Sequence, residues 1–236
     1  MAARWDTLTV DGDSMRCYVT VPDGPGPNPA VVVIQHAGGV DTFVQTMTDR
    51  IAEAGFVGIS PDLYHRDDPN SSDDAMTRMM RLRDPNVVSD VKAAIAHMKG
   101  LPEVRGDRIG ITGFCMGGRV AYLMAAQEPA EIKASVVFYG GNIMVPWGEG
   151  HAPFELTERI LCPILGLFGA DDANPNPADV AKIDAELTRL GKAHEFHSYA
   201  GAGHAFMSED RPSYRKDAAD DAWPKCVVWF ERYLKA

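Results

Sequence analysis

One short motif in this sequence could present a nucleophile: the run GFCMGG at residues 113–118. It lies between a short apolar run and a segment with helical spacing, where a strand would turn directly into a helix. Such a tight turn strains the backbone at Cys115 and requires flanking glycines. The helix N-terminus favours a thiolate, and the Met116 N–H would point at a developing oxyanion. The alternative for the motif alone is an inert, buried cysteine beside a glycine-rich turn.

An acid and a histidine follow later predicted strands, in the order nucleophile, acid, histidine that a site of this kind requires. The apolar run at 163–168 leads into Asp171 and Asp172, and the final predicted strand leads into the small-residue loop that ends at His204. We predict that His204 carries protons for Cys115 and that Asp172 orients the histidine ring. Asp171 is the alternative acid. Taken singly, the aspartates could be a turn and the histidine an ordinary surface residue.

A second glycine-rich turn, HAGG at residues 36–39, follows the apolar run at 30–35. Hydrolytic sites built around such an elbow take a second oxyanion N–H from a turn in this position. We therefore predict that the N–H groups of Ala37 and Met116 together bind the oxyanion. Glycines that only turn the chain are the alternative, and they are compatible with this role.

The elements that must position these residues alternate along the chain as short apolar runs and amphipathic segments, which is typical of a mostly parallel α/β sheet. The turn at residues 11–13 predicts an antiparallel hairpin before the first buried strand. Predicted strands lie at 7–10, 15–21, 30–35, 56–60, 108–112, 134–139, 163–168 and 193–199, and predicted helices at 43–54, 73–83, 87–99, 177–190 and 217–234, with one more just after residue 113.

Length and composition point to an ordinary globular protein of 236 residues, 45% hydrophobic and with a net charge of −10. An acidic surface repels phosphate backbones and anionic membranes, so we expect neither nucleic acid nor membrane as a partner. No apolar stretch approaches a membrane span, and the N-terminus lacks the apolar core of a secretory signal. The four cysteines show no paired spacing, which favours free thiols in the cytoplasm. We expect a monomer, since no coiled-coil seam stands out.

The sequence predicts no metal and no cofactor. The six histidines considered as ligands show no zinc spacing: His36, His65, His151, His194, His197 and His204. Neither a phosphate-binding loop nor a dinucleotide fingerprint occurs.

Taken together, the segments VVVIQHAGGV, RIAEAGFVGISPDLYHR, RIGITGFCMGGR, PILGLFGADD and YAGAGHAF resemble the dienelactone hydrolase family of the α/β-hydrolase superfamily. The resemblance spans nearly the whole chain and implies one α/β-hydrolase domain over residues 1–236, with helices on both faces of the sheet. It also implies a triad of Cys115, Asp172 and His204, and the opening of the enol-lactone 4-carboxymethylenebut-2-en-4-olide to maleylacetate.

The chain departs from the family pattern at two places. Family members that resemble the enzyme of chlorocatechol breakdown carry a glutamate at the position of His36. That glutamate helps to hold the thiol proton. Histidine there could pair with Cys115, act as a base or simply pack. The family also binds the substrate carboxylate with two arginines, and Arg81 falls at the place of one, with Arg78 and Arg83 as competitors.

The place of the second family arginine is occupied by Ser208, and Arg211 is a possible substitute. Two aromatic residues are further candidates for the wall of the substrate pocket. Tyr64 follows the strand at 56–60, and Trp147 lies in the loop after the strand at 134–139. The alternative for each is simple packing.

These observations predict a cofactor-free hydrolase that opens a small-molecule lactone or small ester through a thioester on Cys115. A carboxylesterase or thioesterase of broad specificity is an alternative on the same fold. A glutamine amidotransferase would need an acid two residues after His204, where Phe206 stands. A ligand-binding or redox-sensing relative without turnover is the non-enzymatic alternative.

Overall fold

The computed structural model describes residues 1–68 and 70–236, and its strands follow the apolar runs of the sequence. Within these residues eight strands form one sheet: β1 (Ala2–Val10), β2 (Asp13–Val21), β3 (Asn28–Ile34), β4 (Val57–Pro61), β5 (Val104–Phe114), β6 (Ile132–Phe138), β7 (Ile164–Gly169) and β8 (His194–Tyr199). The helices are α1 (Thr42–Glu53), α2 (Ala75–Arg81), α3 (Asp84–Lys99), α4 (Met116–Gln127), α5 (Pro177–Arg189) and α6 (Lys216–Leu234). None of the helices described is both long and apolar enough to cross a membrane.

The sheet is parallel from β4 to β8 and has an antiparallel hairpin at one edge. Its strand order is β1-β2-β4-β3-β5-β6-β7-β8. At the centre, Val32 of β3 is in register with Ile59 of β4 on one side and with Ile111 of β5 on the other. Only β1 with β2 and β2 with β4 pair antiparallel in the described sheet. The predicted hairpin and the predicted mostly parallel sheet are both confirmed.

Helices cover both faces of this sheet, as the continuous apolar run of β3 indicates. Val32 and Ile34 belong to the core beneath α3, α4 and α5. The alternate residues Val31 and Val33 belong to the core beneath α1 and α6. Because successive side chains of a strand point to opposite faces, a strand buried on both sides must be apolar at every position.

One described element was not expected from the sequence, a 3-10 helix at Pro153–Arg159. Its Thr157 hydroxyl lies 2.7 Å from the Tyr122 hydroxyl on α4, and both side chains are buried. The segment is too short to show a periodic pattern, so its position depends on this contact with another part of the chain.

The parallel strands all have their carboxyl ends along the same side of the sheet. The loops that follow β3, β5, β7 and β8 carry His36, Cys115, Asp172 and His204. Ligands bind at this edge in open α/β sheets, because the strand order reverses there and leaves a crevice.

Candidate active site

Cys115 stands at the junction of β5 and α4, in a backbone conformation that side chains rarely adopt, with φ of 58° and ψ of −121°. The glycines around it are required by close approach of the backbone. A Cβ at Gly113 would overlap the carbonyl oxygen of Gly117, and a Cβ at Gly117 would overlap that of Ile34. The turn therefore leaves the sulfur at the N-terminus of α4, partly exposed.

His204 and Asp172 complete an arrangement with Cys115. The Nδ1 atom of His204 lies 2.8 Å from Oδ2 of Asp172, whose side chain is almost fully buried. Since the carboxylate can only accept, Nδ1 carries the proton and Nε2 is the nitrogen available to the sulfur. Asp171, the alternative acid, is exposed, and its backbone N–H donates to the Ala202 carbonyl.

The charges at this arrangement favour an ion pair between sulfur and imidazole. Burial of the Cys115 thiol would raise its pKa, but the interaction with His204 and the N–H groups of Met116 and Ala37 lower it below the ordinary value of 9.0. Burial would likewise lower the pKa of His204, yet its hydrogen bonds with Asp172 and Cys115 raise that pKa to about 10. Both shifts favour the ion pair of thiolate and imidazolium over the neutral thiol and imidazole.

The other three cysteines provide a contrast to Cys115, because all three are buried. Burial raises the pKa of Cys17 and of Cys162 to about 12, and it also raises the pKa of Cys226. They are therefore protonated and shielded from reagents at neutral pH.

A cavity of about 500 Å³ opens over Cys115, His204 and Asp172. One part of its wall is apolar and comes from α2 and the loop after β6: Ala75, Met76, Met79 and Trp147. Another part is polar and comes from the end of β6 and the loop after β8: Tyr139, Ser208 and Arg211. A mostly apolar cavity with a few converging polar groups is typical of a small-molecule site.

Backbone strain is concentrated at this cavity. Five non-glycine residues in the described chain have positive φ, and four of them line the cavity: Cys115, Tyr139, Asn142 and Ala205. Strained residues persist only where the surrounding structure holds them, and they cluster at functional sites.

Of the four residues expected to bind substrate, His36 and Trp147 line this cavity. Trp147 is fixed by the guanidinium of Arg119, which lies 4.0 Å from the centre of its ring. His36 is buried, and both of its ring nitrogens are engaged within its own loop: Nε2 lies 2.8 Å from Oδ2 of Asp41, and Nδ1 accepts from the Gly38 N–H at 3.3 Å. Its nitrogens are thus directed away from Cys115.

The other two residues expected at the substrate, Tyr64 and Arg81, do not line the cavity. Tyr64 is buried behind the turn after β3, and its hydroxyl donates to the Ala37 carbonyl at 3.0 Å. Arg81 pairs with Asp73 on the protein surface. Arg81 does not reach the cavity because α2 is oriented with Met76 and Met79 toward it.

Two residues with a clear structural role at the site escaped the sequence analysis. Arg119 is fully buried and binds both carboxylate oxygens of Asp84, while it also donates to the Asn142 and Val145 carbonyls. It therefore anchors the loop that carries Trp147. The signal was an arginine in an otherwise apolar helix, since a buried charge needs such partners.

Tyr139 is the second such residue. It is buried, its ring packs edge-on against His204 with centroids 5.3 Å apart, and its hydroxyl has no hydrogen-bond partner within the described chain. No local pattern distinguishes it from a core tyrosine at the end of a strand. As for metals, the described residues contain no group of three or more His, Cys, Asp or Glu side chains that could hold an ion.

The chain is similar over most of its length to one known protein family. A sequence profile of the dienelactone hydrolase family matches residues 15–234. A "Putative carboxymethylenebutenolidase" of Synechocystis sp. is 34% identical over 228 residues, covering 92% of each chain. A "Probable 2-oxo-3-(5-oxofuran-2-ylidene)propanoate lactonase" of Bradyrhizobium sp. is 31% identical over 239 residues, covering 99% of this chain and 96% of the other.

A solved structure resembles the whole chain as well. A crystal structure described as a putative dienelactone hydrolase from Klebsiella pneumoniae has a TM-score of 0.88 and 30% identity, and the match covers 99% of this chain and 100% of the other. The family profile covers far more than half of the chain, and these relatives match it nearly end to end. The chain therefore belongs to the dienelactone hydrolase family, with the α/β-hydrolase fold.

Proposed function

We propose that this protein hydrolyses a small lactone or ester through a thioester on Cys115, with His204 and Asp172 completing the triad. The observation that carries the proposal is the single histidine that hydrogen-bonds Asp172 through Nδ1 and interacts with the Cys115 sulfur. This linkage lowers the pKa of the thiol and raises that of the imidazole, as nucleophilic catalysis requires.

In the first half-reaction the Cys115 thiolate attacks the carbonyl carbon and a C–S bond forms. The negative charge moves to the carbonyl oxygen, where the N–H groups of Ala37 and Met116 stabilise it; both groups already act on the neighbouring sulfur. When this intermediate collapses, the C–O bond to the leaving oxygen breaks. The imidazolium of His204 gives that oxygen its proton, and in a lactone the leaving group stays tethered to the acyl chain.

In the second half-reaction neutral His204 removes a proton from water, and the hydroxide attacks the thioester carbon. The C–S bond then breaks, the carboxylic acid leaves, and Cys115 returns as a thiolate beside imidazolium. Thiolate is itself a good leaving group, so it is expelled from intermediates formed with poorer ones. We therefore expect stabilised leaving groups such as enolates to react well and amides to react poorly.

The polar part of the cavity favours a substrate that carries an anionic group. Arg211 is exposed at the cavity and makes no ion pair within the described residues, and Ser208 lies beside it in the cavity wall. The relatives named as a carboxymethylenebutenolidase and as a lactonase of a furan-ylidene propanoate support a carboxylated enol-lactone as the substrate class. Met76, Met79 and Trp147 would contact its apolar part.

The test is the hydrolysis of cis- and trans-dienelactone and of p-nitrophenyl acetate by the wild type, Cys115→Ala and Cys162→Ala. Cys162 is a buried cysteine outside the cavity and provides the matched control. We expect lactone turnover in the wild type and in Cys162→Ala, its loss in Cys115→Ala, and an acyl adduct on Cys115 by mass spectrometry. Turnover of the simple ester alone would favour the carboxylesterase alternative, and no turnover of any substrate would favour a binding role.

A further inference from the structure

Both polar groups of one peptide bond, the bond between Ala37 and Gly38, are held by side chains. Its N–H donates to Nδ1 of His36 at 3.3 Å, and its carbonyl accepts from the Tyr64 hydroxyl at 3.0 Å. This peptide follows directly on the Ala37 N–H that the proposed reaction uses. β3 ends at Ile34, so Ala37 lies in the short turn that follows the strand, and the two side chains hold it there.

Asp41 determines which nitrogen of His36 is free to accept. Its Oδ2 lies 2.8 Å from Nε2, while its Oδ1 caps α1 by accepting from the Val44 N–H at 3.2 Å. Burial would raise the pKa of Asp41, but the hydrogen bond with His36 keeps it lowered, so the carboxyl is ionised. An ionised carboxylate only accepts, which puts the proton on Nε2 and leaves a lone pair on Nδ1 for Gly38.

Tyr64 is held as firmly as His36. It is only 3% exposed, and the guanidinium of Arg78 lies 4.2 Å from its ring centre, where Asp67 fixes it at 2.9 Å. The Tyr64 hydroxyl also lies 3.5 Å from the sulfur of Met116, the residue that supplies the other oxyanion N–H. One hydroxyl thus contacts both residues of the proposed oxyanion site.

The turn tolerates no alternative packing around this peptide. A Cβ at Gly38 would lie 2.6 Å from the His36 ring and 2.9 Å from Asp41, so the ring packs directly on the backbone. The Gly39 N–H closes the turn by donating to the His36 carbonyl at 3.0 Å. A peptide held at both polar groups and packed against a ring cannot rotate without losing several contacts at once.

We propose that His36 and Tyr64 are positioning residues that clamp the Ala37–Gly38 peptide and so hold the Ala37 N–H in the direction that the oxyanion needs. The proposal rests on the proposed function for the role of Ala37. It gives the histidine that replaces the family glutamate a role of its own, which depends on the tautomer set by Asp41.

Four substitutions separate the parts of this clamp. Tyr64→Phe removes only the hydroxyl. His36→Gln keeps a polar group near the position of Nε2 but loses the acceptor near Nδ1, and His36→Asn does the reverse. Asp41→Asn keeps a cap for α1, but its amide can donate to Nε2 and so favours the tautomer that places a proton against Gly38.

We expect kcat for p-nitrophenyl acetate to fall about tenfold in Tyr64→Phe, His36→Gln and Asp41→Asn, because losing one oxyanion donor entirely costs about 10²–10³-fold. KM should change less than twofold, and His36→Asn should restore kcat to within about threefold of the wild type. The limiting rate of Cys115 alkylation by iodoacetamide at high pH should stay the same, since that reaction forms no oxyanion.

Amide hydrogen exchange at Gly38 tests the clamp without any substrate. We expect protection in the wild type and in His36→Asn, and faster exchange in His36→Gln. If exchange follows this pattern but the wild type hydrolyses nothing, the proposed function fails and the clamp stands. The clamp is overturned if Gly38 exchanges alike in all variants, if kcat is the same in Tyr64→Phe and wild type, or if alkylation falls as far as kcat.

Discussion

Two histidines that line the active-site cavity, His36 and His204, are each paired with an aspartate, and in both pairs a ring nitrogen lies 2.8 Å from a carboxylate oxygen. They differ in the nitrogen that the carboxylate takes. Asp172 takes Nδ1 of His204, which turns Nε2 toward the sulfur. Asp41 takes Nε2 of His36, which turns Nδ1 toward the backbone of its own loop. Equal distances thus accompany two different proposed roles, that of a proton carrier for His204 and that of a backbone support for His36.

The two pairs also differ in which partner is exposed to solvent. In the His204–Asp172 pair the histidine side chain is 35% exposed and the aspartate 2%, whereas in the His36–Asp41 pair the values are 9% and 41%. A histidine that must meet substrate and water has to be the open partner, with its carboxylate buried behind it. The exposed partner, more than the distance between the partners, therefore distinguishes the role proposed for each pair.

Replacing the aspartate of each pair by asparagine tests this difference with the largest expected effect. In Asp172→Asn the side-chain amide favours the wrong tautomer of His204, so kcat should fall on the order of 10³-fold. Asp41→Asn should cost only about tenfold, because it disturbs a supporting contact of one oxyanion donor. Steady-state hydrolysis of p-nitrophenyl acetate measures both, and equal losses would contradict the distinction between the pairs.

The pH dependence of Cys115 alkylation tests which of the two histidines interacts with the sulfur. The wild-type thiolate forms above a pKa that His204 lowers, and the imidazolium is lost as pH rises through about 10. In His204→Gln the midpoint of alkylation should move up toward 9.0 or beyond, which lowers the rate at pH 7 about tenfold or more.

His36→Asn is the control for this titration, and it should leave the midpoint within a few tenths of a pH unit. The three buried cysteines have raised pKa values and should not contribute to the iodoacetamide signal. A midpoint that moves as far in His36→Asn as in His204→Gln would place both histidines at the sulfur.

Two arginines provide the smallest expected effects. Arg211 lies at the cavity, near enough to Asp41 to help lower the pKa of that carboxyl. Its replacement by methionine should raise KM for a carboxylated lactone about fivefold, as expected for one exposed ion pair worth about 1 kcal/mol. KM for uncharged p-nitrophenyl acetate should stay the same.

Arg81→Met is the matched control, because Arg81 pairs with Asp73 on the surface away from the cavity. It should change KM for both substrates less than twofold. A larger effect of Arg81 than of Arg211 on the carboxylated lactone would show that α2 reorients when substrate binds.

The nearness of Cys115, Asp172 and His204 could be predicted because each follows a predicted strand of a mostly parallel sheet, and the carboxyl ends of parallel strands lie on the same side of the sheet. The position of Arg81 could not be predicted, because lengthening or shortening α2 by one turn would direct a different side chain to the cavity. Tyr64 is a second residue whose expected contact with substrate depended on packing. Its loop could be placed near the cavity from the sequence, but whether its hydroxyl faced substrate or the Ala37 carbonyl depended on packing.

The local sequence was enough to predict the tight turn at Cys115, the order of cysteine, aspartate and histidine along the chain, and the alternation of buried strands with helices. These features depend on backbone sterics and on hydrophobic periodicity over a few residues, which are readable in the chain. Two features follow only from the folded chain: the nitrogen through which each histidine meets its aspartate, and the arginine that lines the cavity. His204 meets Asp172 across 32 residues of sequence, and Arg119 meets Asp84 across 35. No local pattern encodes contacts between such distant parts of the chain.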